Sequence, residues 1–213
     1  SAKSEAQSVI DVAADEGATA AQARKNPALW LLIIMAGFFV IAAGMMQQFS
    51  SYASTGALGA AVGAMGVTVC MIGQLFGKFG LGWLCDHTGA RVSGVVASIF
   101  GAAGIAIVLF SVDSAMMFYV GVFLFGIGFA ALNIVPPMAC RQAFGQKDYA
   151  NIFSMVATGL NVFSGFSALI YAQIFDITGS FAGCFYLIIG FYVVTLICSL
   201  VIVPMGRRSW AKK

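Results

Sequence analysis

Six apolar stretches, each long enough to cross a lipid bilayer, constrain this chain more than any other feature of it. They cover residues 28–50, 57–84, 92–112, 115–139, 150–175 and 183–204. A helix needs about 20 apolar residues to span the hydrocarbon core, and each stretch meets that length. The balance of residue types agrees. Of 213 residues 61% are hydrophobic and only 9% charged, with a mean hydropathy of +0.95; soluble domains carry about 25% charged residues. The expected fold is an all-α integral membrane protein. A six-transmembrane-helix bundle over 28–206 is flanked by a polar, Ala-rich segment 1–27 and a basic tail 207–213.

Several function classes lose their chemistry at this point. Five cysteines (Cys70, Cys85, Cys140, Cys184, Cys198) stand singly, with no C-x-x-C pair, and mostly within apolar segments. There cysteine acts as a small hydrophobe, so neither a disulfide nor a metal site is expected. The single histidine, His87, excludes haem schemes that need several imidazoles. An intramembrane serine protease would want a buried His or Lys beside its serine, and His87 reads as a loop residue. No cofactor and no nucleic-acid partner is expected. The first 27 residues lack the basic patch and apolar core of a signal peptide. Ser4 to Arg24 reads as a weak helix ending before Pro27. The chain opens Ser1-Ala2-Lys3, without methionine, and is expected to continue a longer protein.

Charge distribution orients the bundle. The N-terminal segment, the connection after the second span, the connection after the fourth and the tail carry ten of the eleven bases. The eleventh, Lys78, lies within the second span near the same end; the opposite connections hold only Asp113 and Asp176. Positive loops stay in the cytoplasm. Both termini are thus expected inside a plasma or inner membrane.

The ten residues Gly82-Trp83-Leu84-Cys85-Asp86-His87-Thr88-Gly89-Ala90-Arg91 read as a short polar hairpin on that basic side. Asp86 ends an apolar helix, where the helix dipole disfavours a carboxylate, so it calls for a partner: Arg91 or donors from another helix. Gly89 suits a turn at positive φ, and Gly82 would admit a close backbone. A second turn echoes this one. Asp86-His87-Thr88-Gly89 and Asp176-Ile177-Thr178-Gly179 are 90 residues apart, each between the second and third helix of a trio, yet on opposite faces. Inverted three-plus-three repeats place matching corners in this way.

The spacing G-x-x-x-D-x-x-G-x-R resembles the cytoplasmic loop signature of the major facilitator superfamily of transporters. His87 and Ala90 stand where that pattern usually has bases. Pro136-Pro137 followed by Phe144-Gly145 near the end of the fourth span extends the likeness. The resemblance implies half of a twelve-helix fold, with residues 1–27 the end of the central linker and a missing N-terminal six-helix half as partner. It further implies that the first, second, fourth and fifth spans line the path. In relatives the loop Asp engages a helix end of the other half, which makes Gly82, Asp86, Gly89 and Arg91 an inner gate latch.

Polarity agrees with that division. Ser154, Thr158, Asn161 and Ser164 recur on one face of the fifth span. Gln74 and Lys78 are one turn apart on the second, Asn133 lies on the fourth, and Gln47 and Gln48 near the outer end of the first. The third and sixth carry few polar groups; Phe185 to Ile189 and Val201 to Val203 suit lipid contact. Single serines and threonines often just hydrogen-bond helices together, for about 0.6 kcal/mol each. Gly59/Gly63 and Gly73/Gly77 read as close-packing surfaces. Lys78 precedes Asp86 by eight positions, about 12 Å of helix. An ammonium at the bilayer centre costs about 2.5–3.5 kcal/mol, so it either snorkels to the cytoplasmic water or faces a substrate.

Phe76 to Gly82 also resembles a helix of oxalate/formate antiporters and monocarboxylate transporters, where a basic residue, usually arginine, helps bind the anion. Lysine keeps the charge but not the bidentate fork. No second cation stands on the fifth span, which favours a monoanion. No acid lies mid-membrane, so a proton-coupling site belongs to the missing half or coupling is by exchange or absent. The expected function is alternating-access transport of a small organic anion, with Lys78, Gln74, Asn133, Thr158 and Asn161 as contacts. The rival is a stand-alone six-helix channel or non-transporting subunit.

Overall fold

The computed structural model describes residues 17–208, Val112 excepted. Most of the expected weak helix from Ser4, and the end of the basic tail, lie outside the described residues. Seven helices carry the described chain: α1 (Ala20–Lys25), α2 (Pro27–Thr55), α3 (Ala60–Thr88), α4 (Ala90–Phe110), α5 (Ala115–Phe144), α6 (Tyr149–Thr178) and α7 (Ala182–Arg207). The last six are long and apolar enough to cross a membrane. The chain is a multi-pass helical membrane protein.

Local chemistry sets the helix ends. Thr19 and Gln22 form a reciprocal capping box that starts α1. Asn26 then caps α2 by accepting from the Ala28 N–H at 2.9 Å, with Pro27 at the first helical position. Two ends differ from expectation. The stretch from Gly82 is no hairpin: α3 continues through Thr88, His87 sits in its last turn, and Gly89 at φ +89° is the whole connection to α4. On α5 the Pro136-Pro137 pair lies inside the helix, which continues to Phe144.

The two D-x-T-G corners share one local structure. Thr88 Oγ1 donates to the Leu84 carbonyl at 2.7 Å and Thr178 Oγ1 to Ile174 at 2.6 Å. The following glycine N–H bonds four residues back in each case, Gly89 to Cys85 and Gly179 to Phe175, and both glycines have positive φ. Each corner thus ends its helix by the same device, a back-bonded threonine and a left-handed or extended glycine.

Packing puts α2 and α5 at the centre, in contact with each other. Each also packs on α3, α6 and α7; α4 lies against α3, α5 and α7. Exchanging the trio α2-α3-α4 for α5-α6-α7 nearly reproduces this pattern: α2 on α6 mirrors α5 on α3, and α2 on α7 mirrors α5 on α4. Glycines set the closest seams. A Cβ on Gly77 would stand 2.8 Å from the Ala130 Cβ and the Ile127 Cα, and Gly73 abuts the Phe123 backbone. The pair is a packing surface, as its spacing predicts. Of the other pair only Gly63 packs, against Ser50 and Ala53; Gly59 is the open N-cap of α3 at φ +86°.

Helices α4 and α7 hold more buried polarity than the sequence suggests. Ser98 and Thr195 hydroxyls pair at 2.9 Å across their contact, and both side chains are buried. On α7, Tyr186 and Val193 are exposed, but Phe185, Ile188 and Ile202 are buried, so only one face of the expected lipid surface is outward.

Candidate functional site

The connections sort onto two faces as the charges predict. On the basic face Ala18 N–H donates to the Phe144 carbonyl at 2.7 Å, Ala90 N–H to Gln142 Oε1 at 3.0 Å, and Arg207 Nε to the Gln142 carbonyl at 3.1 Å. The N-terminal segment, the α3–α4 turn, the α5–α6 loop and the end of α7 therefore meet. At the other end Tyr52 gathers the remaining connections. Its hydroxyl reaches the Val108 carbonyl at 3.3 Å, and its ring packs on Phe118, Phe181 and Phe185.

Depth along the bundle can be read from contacts across it. Tyr192 touches Phe39, Phe125 and the position of a Gly101 Cβ, while Phe38 packs on Phe163. These residues define a middle level, reached on α3 near Cys70, whose carbonyl faces Gly126. Counting from that level at about 1.5 Å per residue, Gln74, Lys78, Asn133, Thr158 and Asn161 all fall on the basic side, between about 3 and 12 Å from it. The five share a depth band.

They do not point into the six-helix core. Lys78, Asn133, Thr158 and Asn161 are exposed and Gln74 half-buried. Gln74 and Lys78 follow the edge of the buried stripe Gly66, Cys70, Gly73, Gly77 and Leu81. On α6 only Ile152, Val156 and Tyr171 are buried, and Ser154, Thr158, Asn161 and Ser164 occupy the opposite side. The polar row is thus turned away from the bundle. Nor does it glue helices together: Ser154 and Thr158 hydroxyls bond to Asn151 and Ser154 carbonyls of their own helix, at 2.8 and 2.9 Å. Asn133, Asn161 and Lys78 side chains make no hydrogen bond or ion pair with a described residue.

The latch residues are laid out differently from expectation. Asp86 and Arg91 are exposed and form no ion pair with each other, and the Asp86 carboxylate has no hydrogen-bond donor among the described residues. His87 is held instead, its Nδ1 2.8 Å from the Trp83 carbonyl and its ring 4.5 Å from the indole. Gly89 fulfils its turn role. Gly82 meets no atom within 4 Å of a Cβ position, so its close approach is not made among the described residues.

The proline pair, which the sequence offered only as part of a family likeness, lies inside a helix. Pro136 and Pro137 have no N–H, and in a continuous helix those groups would serve the carbonyls of Leu132 and Asn133. Neither proline can therefore supply the usual bond to those two carbonyls, which lie at the depth of Lys78. Two grooves run between α2 and α6. The one at the basic end, about 490 Å³, includes Thr158 in its wall; the other, about 310 Å³, is lined by Gln48, Ser51 and Asp176 among others. Lys78, Gln74, Asn133 and Asn161 line neither. Among the described residues no cluster of His, Cys, Asp or Glu could hold a metal. No family model matches the chain, and no curated protein matches it in sequence.

Proposed function

We propose that the chain is the C-terminal half of a major facilitator transporter that moves a small organic anion, monocarboxylate-like, by alternating access. The observation that carries this reading is the outward polar row on α6, with Thr158 and Asn161 on the same, basic side of the middle level as the exposed Lys78 of α3. A cation and unpaired amides within a membrane span are costly against lipid and tolerated along a watery cavity. The row is therefore one wall of a cleft whose other wall is the N-terminal half. The near-exchangeable packing of the two trios and the matched D-x-T-G corners support the same reading, since inverted repeats build such halves.

Within it, Lys78 attracts the anion as a point charge, and Gln74, Asn133, Thr158 and Asn161 supply neutral contacts. Gly82, Asp86, Gly89 and Arg91 form the inner latch. Asp86, exposed at the end of α3, meets its donors on the other half when that face closes. The basic face is cytoplasmic, in a plasma or inner membrane. In the full-length protein Lys78→Ala abolishes uptake of a panel of monocarboxylates, while Lys78→Arg retains part of it. Uptake by the alanine variant equal to the parent would return Lys78 to snorkelling and remove the anion.

A further inference from the structure

The groove at the basic end of the α2–α6 seam has a composition of its own. Leu29, Trp30, Ile33, Met155, Val162 and Phe163 make an apolar channel of about 490 Å³, large enough for a ligand of drug size. Its one hydroxyl, on Thr158, is already spent on the Ser154 carbonyl. A charge stands at only one end of it. Arg24 lines the groove in the last turn of α1 with Lys25 beside it, two residues before α2 enters the bilayer at Pro27. Trp30 forms the rim, 59% exposed, its indole N–H donating to the Arg24 carbonyl at 3.3 Å.

The donors at that end have no acceptor among the described residues beyond one sulfur. Arg24 Nε contacts only the Met155 sulfur, at 3.4 Å, and neither its other guanidinium nitrogens nor the Lys25 ammonium bonds a described residue. An oily slot with a cation and an indole at its rim, and a second cation next in sequence, is complementary to one kind of molecule. Its tail is apolar and its head anionic. A small hydrophilic anion would leave the slot empty, and a neutral lipid would leave the cations unused.

We infer that this groove is a binding site for an anionic glycerophospholipid, its acyl chain along α2 and α6 and its phosphate at Arg24 and Lys25. The site shares Thr158 with the cleft wall proposed above and requires that this end of the α2–α6 seam face lipid rather than a second half of the protein. Bound lipid would fill the α2–α6 seam and hold α1 against it.

Trp30 reports occupancy directly. In the full-length protein carrying Trp83→Phe, Trp210→Phe and phenylalanine at any tryptophan outside these 213 residues, it is the sole indole, since these residues hold three tryptophans. The protein is placed in vesicles of phosphatidylcholine and phosphatidylglycerol at one fixed ratio, with brominated chains on either one or the other. Each basic residue near a surface favours anionic lipid by about 1 kcal/mol, roughly fivefold. Brominated phosphatidylglycerol should therefore quench Trp30 severalfold beyond its mole fraction. The excess should vanish in Arg24→Gln/Lys25→Gln, and also in the unaltered pair at high salt, where no folding defect can intervene. Equal quenching per mole by the two lipids, an excess that survives charge removal and salt, or quenching by neither because protein covers the groove, each overturns the assignment.

Discussion

At the scale of single residues, the seam between α3 and α5 depends on hydrogen atoms where other residues have side chains. Gly77 already stands with its missing Cβ 2.8 Å from both the Ala130 Cβ and the Ile127 Cα. Those atoms are a short side chain and backbone, which cannot swing aside. Gly77→Val should therefore lower stability by about 1–3 kcal/mol, the usual range for overpacking. Gly80, one turn away on the same helix, meets nothing within 4 Å. Gly80→Ala should be neutral or slightly stabilising, because alanine has the higher helix propensity. Thermal unfolding of the two variants in the same detergent checks the contrast; equal losses would mean that the seam is looser than its glycines imply.

Among the elements, α1 is held to the bundle by one carboxylate and a few backbone bonds at its start, and by the Trp30 indole and the Met155 sulfur at Arg24 in its last turn. Asp148 Oδ2 accepts from the Ala20 N–H at 2.7 Å and Oδ1 from the Asn151 amide at 2.5 Å, and Gly17 pairs with Gly145. These bonds, that from Ala20 first, hold the Asp148 carboxyl below its ordinary pKa. The folded value lies below the unfolded one, so the contribution of the clamp is complete above the ordinary carboxylate range. It is lost as pH falls through the lowered folded value. Hydrogen exchange at Ala20, corrected for its intrinsic rate, should accelerate on that acid side, and Asp148→Asn should bring the loosened state to neutral pH. Protection at Ala20 unchanged in Asp148→Asn would leave the Gly17 and Ala18 backbone contacts as the anchor.

The same corner shows why equivalent turns need not carry equivalent roles. Thr88 and Thr178 bond back to their helices alike, and Gly89 and Gly179 both take positive φ. The second has Asp176 alone; only the first sets a base beside its acid. Gln142 caps the start of α4 there, and Arg91 and Asp86 remain exposed beside it.

For the whole molecule, the exposed surface falls into two kinds. On α4 and α7, Phe110 and Tyr186 are apolar residues on helices with few outward polar groups. Phe79 and Leu169 are also strongly exposed, on α3 and α6, the helices that carry Lys78 and the Asn161 row. If a second half covers α3 and α6, photoreactive benzoylphenylalanine at Phe79 or Leu169 in the full-length protein should crosslink to protein. At Phe110 or Tyr186 it should yield lipid adducts. Lipid adducts at all four positions would mean that the six helices stand alone, and the transporter reading would fall with them.

The division of labour between sequence and tertiary structure follows from range. Span number, helix type and the segregation of basic connections depend on local composition and transfer free energy, and these were legible before any contact was known. Helix ends were less so. Gly82 to Arg91 read as a hairpin because Asp86, His87, Thr88 and Arg91 are polar, yet a helix tolerates polar residues once it has emerged from the hydrocarbon, and the turn shrank to Gly89. Burial was the most hidden. Periodicity places Ser154, Thr158, Asn161 and Ser164 on one face, but only the packing of Ile152, Val156 and Tyr171 against the bundle shows that this face looks outward. A membrane helix can bury either side, because lipid tails and apolar side chains solvate it almost equally. Which side faces protein is therefore a property of the neighbours, and only the assembled helices decide it.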